Sequence, residues 1–102
     1  MTRTTLRRKT TVTDPAQFEQ RKAALLQRLL PYLQKQPGFV SHEMMPGDTP
    51  EDMVEVTTWQ SADDCRAYLR QGGAAMAATM LDAFFPTAAY PNGNWLRETV
   101  DV

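Results

Sequence analysis

Phe39-Val40-Ser41-His42-Glu43-Met44-Met45 and Met53-Val54-Glu55-Val56-Thr57-Thr58-Trp59-Gln60 flank the loop Pro46-Gly47-Asp48-Thr49-Pro50-Glu51-Asp52. Both flanks alternate in side-chain character and the loop consists of turn formers, so the stretch predicts an antiparallel hairpin. Strict alternation places Phe39, Ser41, Glu43 and Met45 on one face of the first strand, with Val40, His42 and Met44 on the other. In the second strand Met53, Glu55, Thr57 and Trp59 share a face.

Upstream, Asp14-Pro15-Ala16-Gln17 announces a helix. Asp14 can accept from a first-turn N–H, and Pro15 costs nothing at the first helical position. Phe18, Leu25, Leu29 and Leu33 fall on one stripe, widened by Leu26 and Leu30, as in a helix packed on a sheet. Pro31 predicts a kink or a tightened last turn, and Pro37-Gly38 ends the helix. Arg3 to Thr13 reads as a strand with Leu6 and Val12 on one face and Arg3, Arg7 and Lys9 together. Downstream, Ser61-Ala62-Asp63-Asp64 is a capping box, and Cys65, Tyr68 and Leu69 face inward from the helix it opens. Gly72-Gly73 interrupts that helix, and Ala74 to Phe85 resumes it with Met76, Met80 and Phe84 on one side. After Pro86 and the turn-rich Tyr90-Pro91-Asn92-Gly93-Asn94, Trp95 to Val102 reads as a final strand. The order β-α-β-β-α-β predicts an α+β, ferredoxin-like domain: a four-stranded antiparallel sheet with helices on one face.

A chain of 102 residues has room for one domain, residues 1–102. Its composition, 42% hydrophobic and 23% charged, is that of a globular protein. No apolar run is long enough to span a membrane, and the charged start lacks the apolar stretch of a signal peptide. One cysteine, Cys65, excludes an internal disulfide and a Cys-based zinc site and points to a reduced, cytoplasmic setting. One histidine without carboxylate spacing gives no support for a metal site. The net charge of −1 provides no global drive toward nucleic acid. Basic residues gather early: Arg3, Arg7, Arg8, Lys9, Arg21, Lys22, Arg28 and Lys35 precede residue 37, opposed there only by Asp14 and Glu19. Such asymmetry suits one subunit meeting another, or an anionic ligand.

Gln36-Pro37-Gly38-Phe39-Val40-Ser41-His42-Glu43, the hairpin, Trp59-Gln60-Ser61, the acidic capping box and Tyr68-Leu69 together resemble the antibiotic biosynthesis monooxygenase domain. The resemblance implies a ferredoxin-like unit that pairs sheet to sheet into a homodimeric α+β barrel. It also implies a cofactor-independent monooxygenase of secondary metabolism, acting on an aromatic, polyketide-type small molecule and O₂ by proton abstraction and oxygen addition. Relatives of the same fold include isomerases, cyclases and proteins without assigned chemistry. A non-redox isomerase or cyclase and a non-catalytic small-molecule-binding protein therefore remain alternatives.

Under that resemblance Trp59 matches a tryptophan that lines the substrate cavity, where a planar aromatic would stack. Glu55 stands where anthrone-oxidising members carry an asparagine. An ionised carboxylate accepts but does not donate, so Glu55 changes the chemistry and is a candidate general base for a phenolic or α-carbonyl proton. Tyr68 is a candidate hydrogen-bond partner for a substrate oxygen. With an even hairpin register Glu43 opposes Glu55 and could form a carboxylate pair with it. The same register sends His42, a further catalytic candidate, to the opposite sheet face, toward a dimer interface. Cys65 occupies a tyrosine position of the anthrone oxidisers. With Met76, Met80 and Phe84 it completes the candidate substrate-binding set, the methionines offering adaptable apolar walls.

Overall fold

The computed structural model describes residues 1–86 and 96–102. Its elements are β1 (Thr2–Lys9), α1 (Pro15–Gln34), β2 (Phe39–Pro46), β3 (Asp52–Trp59), α2 (Ala62–Arg70), α3 (Gly73–Phe84) and β4 (Leu96–Asp101). The strands form one antiparallel sheet in the order β2-β3-β1-β4, the ferredoxin-like α+β arrangement. The Tyr90–Asn94 connection and Trp95, the expected first residue of the last strand, lie outside the described residues.

Local signals place the helices. The Asp14 carboxylate accepts from the Gln17 N–H at 3.0 Å, with Pro15 at the first helical position, and Ser61 Oγ accepts from the Asp64 N–H at 3.1 Å. Past Pro31, α1 ends in a tightened turn: Lys35 N–H donates to Tyr32 O and Gln36 N–H to Leu33 O, both three residues back. Phe18, Leu25, Leu29 and Leu33 line the buried stripe of α1 and pack with Met44 and Met53 from the hairpin and Ala77, Leu81 and Phe85 from the α3 region.

Gly38 turns the chain from α1 into β2 at φ +78°, and a β-carbon there would strike the Asp64 side chain. Gly38→Ala therefore combines left-handed strain with a clash. It is expected to cost about 1–3 kcal/mol in urea unfolding; unchanged stability would mean that the turn can be rebuilt freely.

Two expectations need correction. β1 stops at Lys9 rather than Thr13, because its partner β3 begins at Asp52, opposite Lys9. Beyond it the backbone turns to other acceptors, with Thr10 N–H on Glu51 O and Thr11 N–H on Pro86 O, and Val12 is buried from this connection rather than from the strand. β2 does not alternate throughout. Phe39 pairs with Trp59 and Ser41 with Thr58, so Val40 is extra and forms a bulge. Past it the parity is reversed: His42 and Met44 join Phe39 on the helix-facing side, while Ser41, Glu43 and Met45 face away.

The sheet thus has a helix-covered face and an outer face. On the outer side Arg3, Arg7, Glu43, Met45, Val54 and Val56 line a shallow concavity with no layer of described residues over it. Lys9, on the same face, pairs with Asp52 at 2.7 Å.

Candidate active site

On the covered side, β1 contributes Thr4 and Leu6, β3 contributes Glu55, Thr57 and Trp59, and β4 contributes Arg97 to a cleft against α2 and α3. Tyr68 and an alanine wall, Ala74, Ala77 and Ala78, form the helical side. The space between atoms is about 400 Å³, but it is narrow and admits little more than water as it stands.

Trp59 is 1% exposed and sits in an aromatic stack. Its ring lies 4.6 Å from Tyr68 at 37° and 5.9 Å from Phe39 in an edge-on contact. Gly73 makes room for this stack, since a β-carbon there would come within 2.6 Å of the Tyr68 ring. Burial pushes the Tyr68 phenol well above its ordinary range, and the nearby Glu55 carboxylate adds to the effect. The phenol therefore stays protonated, able to donate, at any working pH. Because its folded value is raised above the unfolded one, its contribution to stability is complete below about pH 10 and is lost as pH rises beyond that. Melting temperatures at pH 8 and pH 10.5 should differ less in Tyr68→Phe than in the wild type; an equal difference would mean that another group governs alkaline unfolding.

Glu55 is buried, two pleats from Trp59 on the same face, as its spacing predicts. The structure brings to it a residue expected elsewhere. His42 stands opposite Thr57, on the Glu55 side of the sheet, with Nε2 3.6 Å from Glu55 Oε1. The Val40 bulge accounts for this reversal, and it removes Glu43 for the same reason. Glu43 pairs with Val56 on the outer face, exposed and away from Glu55, so no carboxylate pair forms.

Cys65 is buried behind the cleft, its Sγ 3.1 Å from Thr4 Oγ1 in a shared hydrogen bond. Met76 is half exposed on the outer side of α3. Met80 and Phe84 pack at the edge of the core, and Arg28 lies over the Phe84 ring at 5.9 Å. The inward line of α3 is Gly73, Ala77 and Leu81, one step around the helix from the methionines.

Arg8 and Arg97 escaped the sequence reading. Arg8 shares the buried face of β1 with Thr2, Thr4 and Leu6, and its Nη2 donates to Asp82 at 2.6 Å and to the Phe85 carbonyl at 2.9 Å, holding the end of α3. Burial pulls its pKa down, against the opposing pull of Asp82 and Glu55. Two-residue parity from Leu6 would have found it. Arg97 stands opposite Leu6, at the cleft rim; placing it required knowing that β4 pairs with β1.

Among the described residues no group of three or more His, Cys, Asp or Glu is arranged to hold a metal ion, and no helix is long and apolar enough to cross a membrane. No family model matches the chain, and no curated protein matches it in sequence. Solved structures do match. SnoaB, a cofactor-independent oxygenase from Streptomyces nogalater, is 25% identical over 99% of this chain and 92% of its own, with a TM-score of 0.62. ActVA-Orf6, a monooxygenase of Streptomyces coelicolor solved with nanaomycin D, is 14% identical over 99% and 86% of the two chains, with a TM-score of 0.66. Another protein, described as an antibiotic biosynthesis monooxygenase, is 10% identical over 100% and 98%, with a TM-score of 0.62. The last two likenesses are of fold alone. From first strand to last, this chain has the fold of the antibiotic biosynthesis monooxygenase domain proteins.

Proposed function

We propose that this protein is a cofactor-independent monooxygenase-like enzyme of secondary metabolism that oxidises an aromatic, polyketide-type small molecule. The observation that carries the reading is a buried carboxylate, Glu55, in an enclosed cleft beside the Trp59–Tyr68 stack. Glu55 removes a proton from the methylene of an anthrone-like substrate, leaving the electron pair on carbon. The carbanion gives one electron to O₂, and the radical pair joins as a peroxide. The proton held by Glu55 returns to the outer oxygen of the peroxide, and loss of the second methylene hydrogen with that OH yields a carbonyl and one molecule of water. The protein supplies the aromatic wall made by the Trp59–Tyr68 pair, a hydrogen bond from Tyr68, and a site with little water. A flat tricyclic substrate is larger than the present cleft, so binding requires the cleft to widen.

The test is oxygen uptake by metal- and flavin-free protein offered an anthrone. Uptake that needs the protein supports the reading. Absence of uptake, with the anthrone bound and quenching tryptophan fluorescence, sinks it in favour of an isomerase or cyclase; absence of binding leaves neither chemistry.

The same reading makes the chain one domain that works as a cytoplasmic homodimer, joined through the outer sheet face. Arg3 and Arg7 beside Glu43, around Val54 and Val56, give that face the mixed charge and apolar centre suited to a self-complementary contact. Sedimentation should give a dimer for the wild type and a monomer for Val56→Glu. A monomeric wild type would overturn the assembly.

A further inference from the structure

Beneath the cleft, the hairpin buries two polar side chains whose hydrogen-bonding capacity goes unused. The His42 side chain is 1% exposed, and neither ring nitrogen has a hydrogen-bond partner. Glu55 Oε2 is buried and unpartnered as well, and Oε1 lies 3.6 Å from His42 Nε2, in ion-pair range but too long for a hydrogen bond. Polar atoms buried without partners are rare because each forfeits its hydration, and two adjacent side chains that both carry them call for a reason. Their placement supplies one. Glu55 lines the cleft and His42 does not, so the imidazole can act on a bound molecule only through the carboxylate.

We infer that His42 is the positioning residue of Glu55: its Nε2 carries the ring proton and directs it at Oε1, which leaves Oε2 as the oxygen that takes the substrate proton. This rests on the reading of Glu55 as the base. A carboxyl group with two free oxygens rotates and offers its lone pairs in any direction, whereas one oxygen tethered to an imidazole N–H aims the other. The gap closes by a small turn of either side chain when substrate seals the cleft, as apo contacts in active sites often do. The proton moves from substrate carbon to Oε2 and the electron pair stays on the substrate. The negative charge passes from Glu55 to the substrate. The other titratable groups around the pair are Arg8 on β1 and Tyr68 on α2, which both interact electrostatically with Glu55, and Tyr32 on α1, Cys65 on α2 and Arg97 on β4, which act on Tyr68.

His42 is the only histidine in the chain, so ¹⁵N-histidine labelling yields the signals of one ring. In the ligand-free protein at pH 7, long-range ¹H–¹⁵N correlation should find Nε2 protonated, and Glu55→Gln should move the Nε2 signal. A ring protonated on Nδ1 alone, or an Nε2 signal indifferent to Glu55→Gln, overturns the pair whatever the activity. In turnover of an anthrone, His42→Phe should lower kcat about 10- to 100-fold, the scale of a misplaced catalytic group, with KM little changed. His42→Gln, which keeps an N–H donor, should recover part of that loss, and His42→Phe added to Glu55→Gln should lower kcat no further. Full kcat in a folded His42→Phe protein overturns the positioning role. A wild type that oxidises no anthrone overturns the base reading, and the ring signals then still judge the pair by itself.

Discussion

Glu55→Gln is expected to reduce anthrone oxidation by about 10²–10⁴-fold, the usual contribution of a positioned general base. The substitution nearly preserves shape and volume, so the walls of the cleft should keep their places. It removes the negative charge that Arg8 and Tyr68 feel, and with it the capacity to take a proton. KM and the quenching of tryptophan fluorescence by bound anthrone should therefore change little while kcat falls, the pattern of an interaction made in the transition state alone. The buried Oε2 has no hydrogen-bond partner to lose, so the melting temperature should move little. Oxygen-electrode rates beside a thermal melt separate the cases. Full activity would exclude Glu55 as base, and a large loss of stability would mean that the carboxylate holds the fold instead.

Trp59→Ala should destabilise the protein by about 3–5 kcal/mol, the cost of emptying a large aromatic site in a core. The ring is fully enclosed between Phe39 and Tyr68 at the end of β3, so no single neighbour can fill the space. For a chain of this size each kcal/mol shifts the melting temperature by about 4–8 °C, and total stability is only about 5–15 kcal/mol, so the variant approaches the limit of folding. Urea unfolding measures the cost. A value below about 1 kcal/mol would show a site able to collapse, contrary to the packing described. Binding is therefore better tested with Trp59→Phe, which keeps an aromatic face and most of the buried area.

Much of this architecture was legible because its causes are local. Asp14 before Pro15 and Ser61 before Asp64 satisfy backbone donors within three residues, so the helix starts can be read without knowing what surrounds them. Glu55 and Trp59 share a face because β3 alternates without interruption. The bulge at Val40 has no such local cause. It arises from the pairing of two strands, Phe39 with Trp59 and Ser41 with Thr58, and nothing in Phe39-Val40-Ser41 announces it. That one residue moved His42 into the site and Glu43 out of it. Arg8 was hidden differently. Its parity with Leu6 was readable, but an arginine buried on the core side depends on Asp82 and the Phe85 carbonyl, more than seventy residues away. The alanine wall of α3 was passed over in favour of its methionines, since small side chains give a weak hydrophobic signal even when they form the inward line.

The Val40 bulge also bears on how such a site is inherited. In a strand of strict period two, exchanging residues one at a time cannot carry a side chain from one face to the other; inserting or losing a single codon can. Straightening the bulge with Val40 retained would return Ser41, Glu43 and Met45 to the covered side and expel His42 and Met44, an exchange that this core would not accept, whereas deleting Val40 would leave Phe39 opposite Trp59, Ser41 opposite Thr58 and His42 opposite Thr57 in unbroken alternation. The bulge, and not the length of the arm alone, therefore decides which side chains the hairpin sends inward. A gap-free alignment from Pro37-Gly38-Phe39 with a bulge-free relative would match His42 to an outward-facing residue and conceal its place beside Glu55.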